Sequence, residues 1–188
     1  MNKVRIVGID PSLRNFGIVK ATLDPHTLEY TVDDLFLVGT ESQDKKVVRK
    51  NSDDLRRGKL LFDGLTEACR GASLAIAEIP VGSQSARAMA SYGVCVGVLA
   101  ACPIPLIQVT PTEVKMATVG SKTASKNEMI SWATEKFPAA PWLTRKVKGK
   151  VDLISANEHL ADAVAAIEAG VLTAEFARMM MMYKALAA

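Results

Sequence analysis

The chain has 188 residues, enough for one domain with a sizeable core, and 49% of them are apolar, which excludes a disordered chain. A formal net charge of +3 admits a nucleic-acid partner without requiring one. No apolar run of about 18 residues is free of polar breaks, so no membrane span is expected, and Cys69, Cys95 and Cys102 contain no CxxC pair, which excludes a disulfide framework or a zinc site.

Residues 4–9 are apolar apart from Arg5, which suits a central strand buried on both faces. Pro11-Ser12 breaks it. Residues 15–23 read as a second strand, Asp24-Pro25-His26-Thr27 as a turn with a solvated His26, and 28–38 as a third strand. The short connections predict an antiparallel meander. Residues 39–54 are polar and charged and read as a loop. Leu55, Leu60, Leu61 and Leu65 predict an amphipathic helix to about Arg70. A short strand at 74–78, a helix at 84–102 and a strand at 104–109 then alternate, which implies parallel strands with helical crossovers.

Three capping boxes predict helix starts: Thr110-Pro111-Thr112-Glu113, Ser125-Lys126-Asn127-Glu128 and Ser155-Ala156-Asn157-Glu158. Residues 173–188 read as a last helix. With no repeat and no linker, residues 1–188 read as one domain, with 171–188 a C-terminal helical tail. The first strand begins too early for a signal peptide, and free thiols suit a reducing compartment, so a soluble cytoplasmic protein is expected. The element order matches an α/β chain of the ribonuclease-H-like fold: a mixed five-stranded sheet, three antiparallel strands then two parallel, flanked by helices.

Three acidic residues stand out. Asp10 and Glu78 end apolar strands, and Asp162 lies in an Ala-rich helical stretch. Carboxylates are rarely buried unless paired or bound to metal. If they converge, they suit divalent ions and phosphodiester chemistry, with two ions activating a water and stabilising the leaving oxygen. His159 falls three residues before Asp162 on the same helical face, where it could ligate a metal or position water. Leu160, Val164 and Ile167 form the opposite, packing face. The plainer readings are turn or cap residues for Asp10 and Glu78. Glu158 is assigned to its capping box, not to the site.

Three further patterns concern partners. Lys126 follows an N-cap, where a cation is mildly unfavourable, so a phosphate held jointly by Lys126 and the helix end is expected. Lys122 is nearby. Arg145, Lys146, Lys148 and Lys150 form a basic run just before the last acidic helix, suited to a DNA backbone. Lys45, Lys46, Arg49 and Lys50 form a second cluster. Ala86, Ala90, Gly93, Gly97 and Ala101 recur at three- or four-residue spacing; they pack either against the sheet or against a second copy.

Residues 7–17, Val-Gly-Ile-Asp-Pro-Ser-Leu-Arg-Asn-Phe-Gly, resemble the first motif of the RuvC family of Holliday-junction resolvases. Ile76-Ala77-Glu78 resembles the second. Thr110 to Lys115, followed by Val119-Gly120 and Ser125-Lys126, resembles the lysine-bearing segment, and residues 159–165 resemble the last motif. The motifs run in the family's order over residues 4 to about 170. The resemblance implies a homodimer that cuts two opposed strands of a four-way junction with Mg²⁺ or Mn²⁺, leaving a 5′-phosphate and a 3′-hydroxyl. It implies Asp10, Glu78 and Asp162 as metal ligands, His159 as the fourth, and Lys115 and Lys126 near the scissile phosphate. The family's aromatic residue shortly after the second acid is missing from Glu78-Ile79-Pro80-Val81-Gly82. The expected function is therefore a Mg²⁺-dependent endonuclease acting on Holliday junctions or related branched DNA. The alternatives are a nuclease for structured RNA or flap DNA and a non-catalytic junction-binding protein. A sugar-kinase-like ATPase would need a second lobe.

Overall fold

The computed structural model describes residues 3–44, 46–147 and 149–187. Strands β1 (Val4–Asp10), β2 (Asn15–Leu23) and β3 (Tyr30–Gly39) form the antiparallel meander. Helix α1 (Lys50–Cys69) leads to β4 (Leu74–Glu78), and α2 (Ala86–Ala100) leads to β5 (Leu106–Val109). Helices α3 (Pro111–Thr118) and α4 (Lys126–Lys136) follow, then a hairpin of β6 (Thr144–Val147) and β7 (Lys150–Leu153), then α5 (Asn157–Gly170) and α6 (Ala174–Ala187). The main sheet has the order β3-β2-β1-β4-β5, with β4 parallel to β1 and β5 parallel to β4.

Side chains alternate across a strand, so β1 divides its residues between two layers. Val4 and Ile6 face the core under α5, with Leu160, Val164, Ile167 and Phe176. Val7 and Ile9 face the core under α1 and α2, with Leu61, Leu65, Cys95 and Leu99. The same split holds on β4, where Leu74 and Ile76 face α5 and Ala75 and Ala77 face α1 and α2. By that parity Asp10 and Glu78 turn to the α5 side. The last helix is no loose tail, since Phe176 and Met180 are buried in the α5 core.

Five expectations need correction. Helix α1 starts at Lys50, inside the expected loop, because its charges are paired: Asp53 binds Arg56 at 2.8 Å and Asp54 binds Arg87 at 2.5 Å. Leu55 and Leu60 do not pack inward; both are exposed. Strands β3 and β5 begin two residues later than expected, and α2 stops short of residues 84 and 102. Two short strands, β6 and β7, were not expected; they carry Arg145, Lys146 and Lys150. The third capping box does not form: α5 begins at Asn157 with Ala156 as N-cap and no side-chain cap bond. The other two boxes form completely. Among the described residues no helix is long and apolar enough to cross a membrane.

Candidate active site

Asp10 and Glu78 are neighbours because β1 and β4 are parallel and in register, Ile9 against Ala77 one residue earlier. Two glycines bring α5 down onto them. A Cβ at Gly8 would lie 2.2 Å from the Ala163 carbonyl oxygen, and one at Gly17 would lie 2.3 Å from that of His159. Only glycine permits that approach. It sets His159 and Asp162, one turn apart on α5, beside the strand ends.

The Asp10 carboxylate holds His159: Oδ2 is 2.7 Å from Nδ1. The other ring nitrogen, Nε2, lies 3.4 Å from Asn15 Nδ2 and 3.3 Å from Glu158 Oε1. Glu158 also pairs with Lys126, at 2.8 Å. Asn15 and Glu158 are the site residues that sequence reasoning missed. Glu158 was assigned to a cap; the register of α5, starting two residues after Ser155, frees it for the site.

Charge repulsion marks the cluster. Burial, then the charges of Asp10 and Asp162, pushes the Glu78 carboxyl up to about 8. Burial, then Asp10, pushes Asp162 up to about 7. Asp10 is also raised by burial, against the pull of His159. Burial works to lower His159, but the Asp10 hydrogen bond and the surrounding carboxylates outweigh it and leave the imidazole raised. Lys115 opposes the upward shifts of Glu78 and Asp162, so its charge is felt at the cluster. Lys126 feels Asp162 and Asp10 as well as Glu158.

Hence Asp10, Glu78, His159, Asp162, Lys115 and Lys126 come together. Lys122 is exposed. Arg145, Lys146 and Lys150 are exposed on the β6–β7 hairpin. The base of that hairpin is tied to the start of α5 by the buried Asn157, whose side chain accepts from Leu143 N–H and donates to Leu143 C=O, at 2.9 and 2.7 Å. Lys148 and Lys45 lie outside the described residues. Among the described residues no three His, Cys, Asp or Glu side chains already close around one point as a ligand shell. The donor set nonetheless fits a hard divalent cation: hard carboxylate oxygens, one imidazole, and two acids whose midpoints are raised by burial first and by neighbouring acids second. After Glu78 the chain turns through Gly82 at φ 112° and leaves Val81 77% exposed where the resemblance leads one to expect an aromatic.

No protein-family model matches the chain. Among curated proteins, the crossover junction endodeoxyribonuclease RuvC of Paracidovorax citrulli (strain AAC00-1) is 31% identical over 132 residues, covering 67% of this chain and 68% of that protein. Among solved structures, Thermus thermophilus RuvC in complex with Holliday junction substrate superposes with a TM-score of 0.67 at 19% identity, covering 94% of this chain and 96% of that one. The yeast mitochondrial Holliday junction resolvase Ydc2 superposes at 0.56 with 12% identity, covering 97% of this chain and 87% of that one. These neighbours share the ribonuclease-H-like sheet described above. With an identity of 31% extending over two thirds of both sequences, and the motif acids set at adjoining strand ends, the chain belongs to the RuvC family.

Proposed function

We propose that this protein is a structure-selective endonuclease that resolves Holliday junctions, or closely related branched DNA, by metal-dependent phosphodiester hydrolysis. Membership of the RuvC family supports the reaction class. The observation that carries the site assignment is the convergence of Asp10 and Glu78, at adjoining strand ends, with His159 and Asp162 on α5, where burial first and mutual repulsion second raise Glu78 to about 8 and Asp162 to about 7.

In this reading Asp10, Glu78 and Asp162 hold Mg²⁺, with Mn²⁺ able to substitute, and His159 completes the set once it gives up its proton. The bound ions supply charge neutralisation and an activated water. Without metal, Asp10 and Glu158 hold the two ring nitrogens, and one of them would have to let go for His159 to ligate. Lys115 and Lys126 bring positive charge to the phosphate being cut. The hairpin residues Arg145, Lys146, Lys148 and Lys150, together with Lys122, bind flanking backbone.

The active form in this reading is a homodimer through α2. Cβ atoms at Gly93 and Gly97 would meet nothing within 4 Å, so the small residues are not there for packing inside the subunit. Met89 and Val96 beside them are exposed, as are Leu55 and Phe62 on the adjoining α1. A self-complementary patch gives two sites related by a two-fold axis, suited to paired cuts. The 188-residue chain then works as one nuclease domain, in the cytoplasm; Cys69 and Cys102, free thiols that share a hydrogen bond at 3.9 Å, suit a reducing compartment.

The decisive experiment is cleavage of a labelled four-way junction beside duplex, flap and RNA substrates, with Mg²⁺ and with chelator. Symmetric cutting of the junction that stops with chelator is expected. Preferential cutting of RNA or flap, or cutting that persists in chelator, rejects the assignment.

A further inference from the structure

Resting on that reading, we propose that the cleft between the loop after β1 and the start of α2 is a second phosphate site. It would hold a DNA backbone phosphodiester next to the one cut at Asp10. The cleft has a volume of about 710 Å³, and its wall includes Pro11 and Ser12, which directly follow Asp10 in the chain. It therefore opens beside the acidic cluster on the same end of the sheet.

Its charges are one-sided. Arg14, Lys50, Arg57 and Arg87 line it against a single carboxylate, Glu41. Two of these cations are already engaged: Arg87 grips Asp54 through both guanidinium nitrogens at 2.5 and 2.8 Å, and Lys50 lies 3.7 Å from Asp53 and from Asp54. The other two are not held by a direct ion pair among the described residues, although the charge of Arg57 acts on Asp54. Arg57 is only 6% exposed, yet it donates to two neutral acceptors, Thr40 Oγ1 at 2.8 Å and the Leu13 carbonyl at 3.1 Å. Arg14 is exposed, and its side chain makes no ion pair among the described residues.

A guanidinium withdrawn from water with no carboxylate in direct contact is costly. The Arg57 bonds pin the Leu13 carbonyl, and Thr40 Oγ1 donates to that same carbonyl. A neutral donor could make that tether as well; with Asp54 already gripped by Arg87, the charges of Arg57 and Arg14 suit the cleft to an anion. Two planar forks on one cleft match phosphate oxygens, which accept such donors bidentately. Ser12 and Ser91 add hydroxyls to the wall.

The test uses Arg14→Gln, an exposed substitution, in an Asp10→Asn background that binds without cutting. Junction affinity is measured against salt, and a four-way junction is scanned with single neutral methylphosphonates. Loss of one phosphate contact lowers the salt slope by about 0.9 and weakens binding several-fold near physiological salt. The parent should be sensitive to a methylphosphonate at one position beside the cut, and Arg14→Gln should lose that sensitivity alone. If the parent prefers junction over duplex but Arg14→Gln matches it in affinity, slope and scan, the second phosphate site is wrong and the junction reading stands. If the parent shows no preference for the junction, both fall.

Discussion

His159 Nδ1 lies 2.7 Å from Asp10 Oδ2, although 149 positions separate them in the chain. The contact joins the first strand of the sheet to the helix that crosses it. It depends on Gly8 and Gly17, which remove the two Cβ atoms that would hold α5 away. It also engages one oxygen of Asp10 with the imidazole in a cluster otherwise made of acids. A divalent ion at the cluster would compete with that ring for the same oxygen, so metal binding and the protonation of His159 are linked.

Asp10→Asn should abolish cleavage and spare junction binding. The amide keeps the shape and loses the charge, removing a ligand at the centre of the set. A loss of about 3 kcal/mol of transition-state stabilisation is a rate decrease of roughly 100-fold. Single-turnover cleavage and a gel-shift on the same junction separate the two effects. A variant that cuts at the normal rate rejects Asp10 as a ligand.

Glu78→Gln should stabilise the metal-free protein at pH 8 while destroying activity. Burial and the neighbouring acids raise Glu78 from 4.5 to about 8 and Asp162 from 3.8 to about 7. Their folded forms hold protons more tightly than their unfolded forms. Their favourable contribution is thus complete below about pH 4 and is lost as pH climbs through 7 and 8. The neutral amide escapes that loss. In chelator its melting temperature should exceed the parent's by on the order of 5 °C at pH 8 and match it near pH 4. An unchanged or lower value at pH 8 contradicts the electrostatic account of the site.

Divalent-ion affinity should rise steeply between pH 6 and pH 9. Glu78 and Asp162 must ionise to ligate, at about 8 and about 7, and the raised His159 must lose its proton too. Binding therefore releases protons, by up to about tenfold in affinity per pH unit for each group below its midpoint. Titration calorimetry in buffers of different ionisation enthalpy counts them. Zero protons released at pH 7 would show that the ion binds elsewhere.

Gly8→Ala should cost stability and activity together. The new methyl would sit 2.2 Å from the Ala163 carbonyl oxygen, a backbone atom that cannot swing aside. Helix α5 must shift, carrying His159 and Asp162 with it. A loss of about 2 kcal/mol, or roughly 4–8 °C in melting temperature, is expected. Thermal denaturation and cleavage should fall in parallel; an undisturbed melting curve would mean that α5 is not held this closely.

Much of this was legible in the sequence because local rules and tertiary structure agree there. The apolar runs of β1 and β4 are buried strands, and the boxes at Thr110 and Ser125 cap helices as written. Failures occurred where charge was read as exposure. Asp53 and Asp54 looked like loop residues, but arginines three residues and 33 residues away neutralise them inside a helix. Spacing shows possible local partners and cannot show the distant one. The three acids were singled out from their strand-end and helix settings, whereas Asn15 and Glu158 stand out only by contacts that the fold makes, with His159 and, for Glu158, with Lys126.

Glu158 offers the sharpest contrast between a local rule and the fold. The Ser155-x-x-Glu158 pattern predicts a capping box, and breaking such a box costs about 1 kcal/mol. In the structure Ala156 is the N-cap and no side chain caps α5. Glu158 instead bridges Lys126 and the His159 ring, at 2.8 and 3.3 Å. Ser155→Ala should therefore change stability by less than about 0.5 kcal/mol, as an ordinary surface change does. Glu158→Gln should lower the midpoint of His159, because a carboxylate that favours the charged ring is gone. It should also slow cleavage by roughly 10-fold, the scale expected when an orienting partner is removed. Denaturation of Ser155→Ala and an NMR titration of His159 in Glu158→Gln decide the matter. A loss near 1 kcal/mol in the first with an unmoved ring in the second would restore the capping role and take Glu158 out of the site.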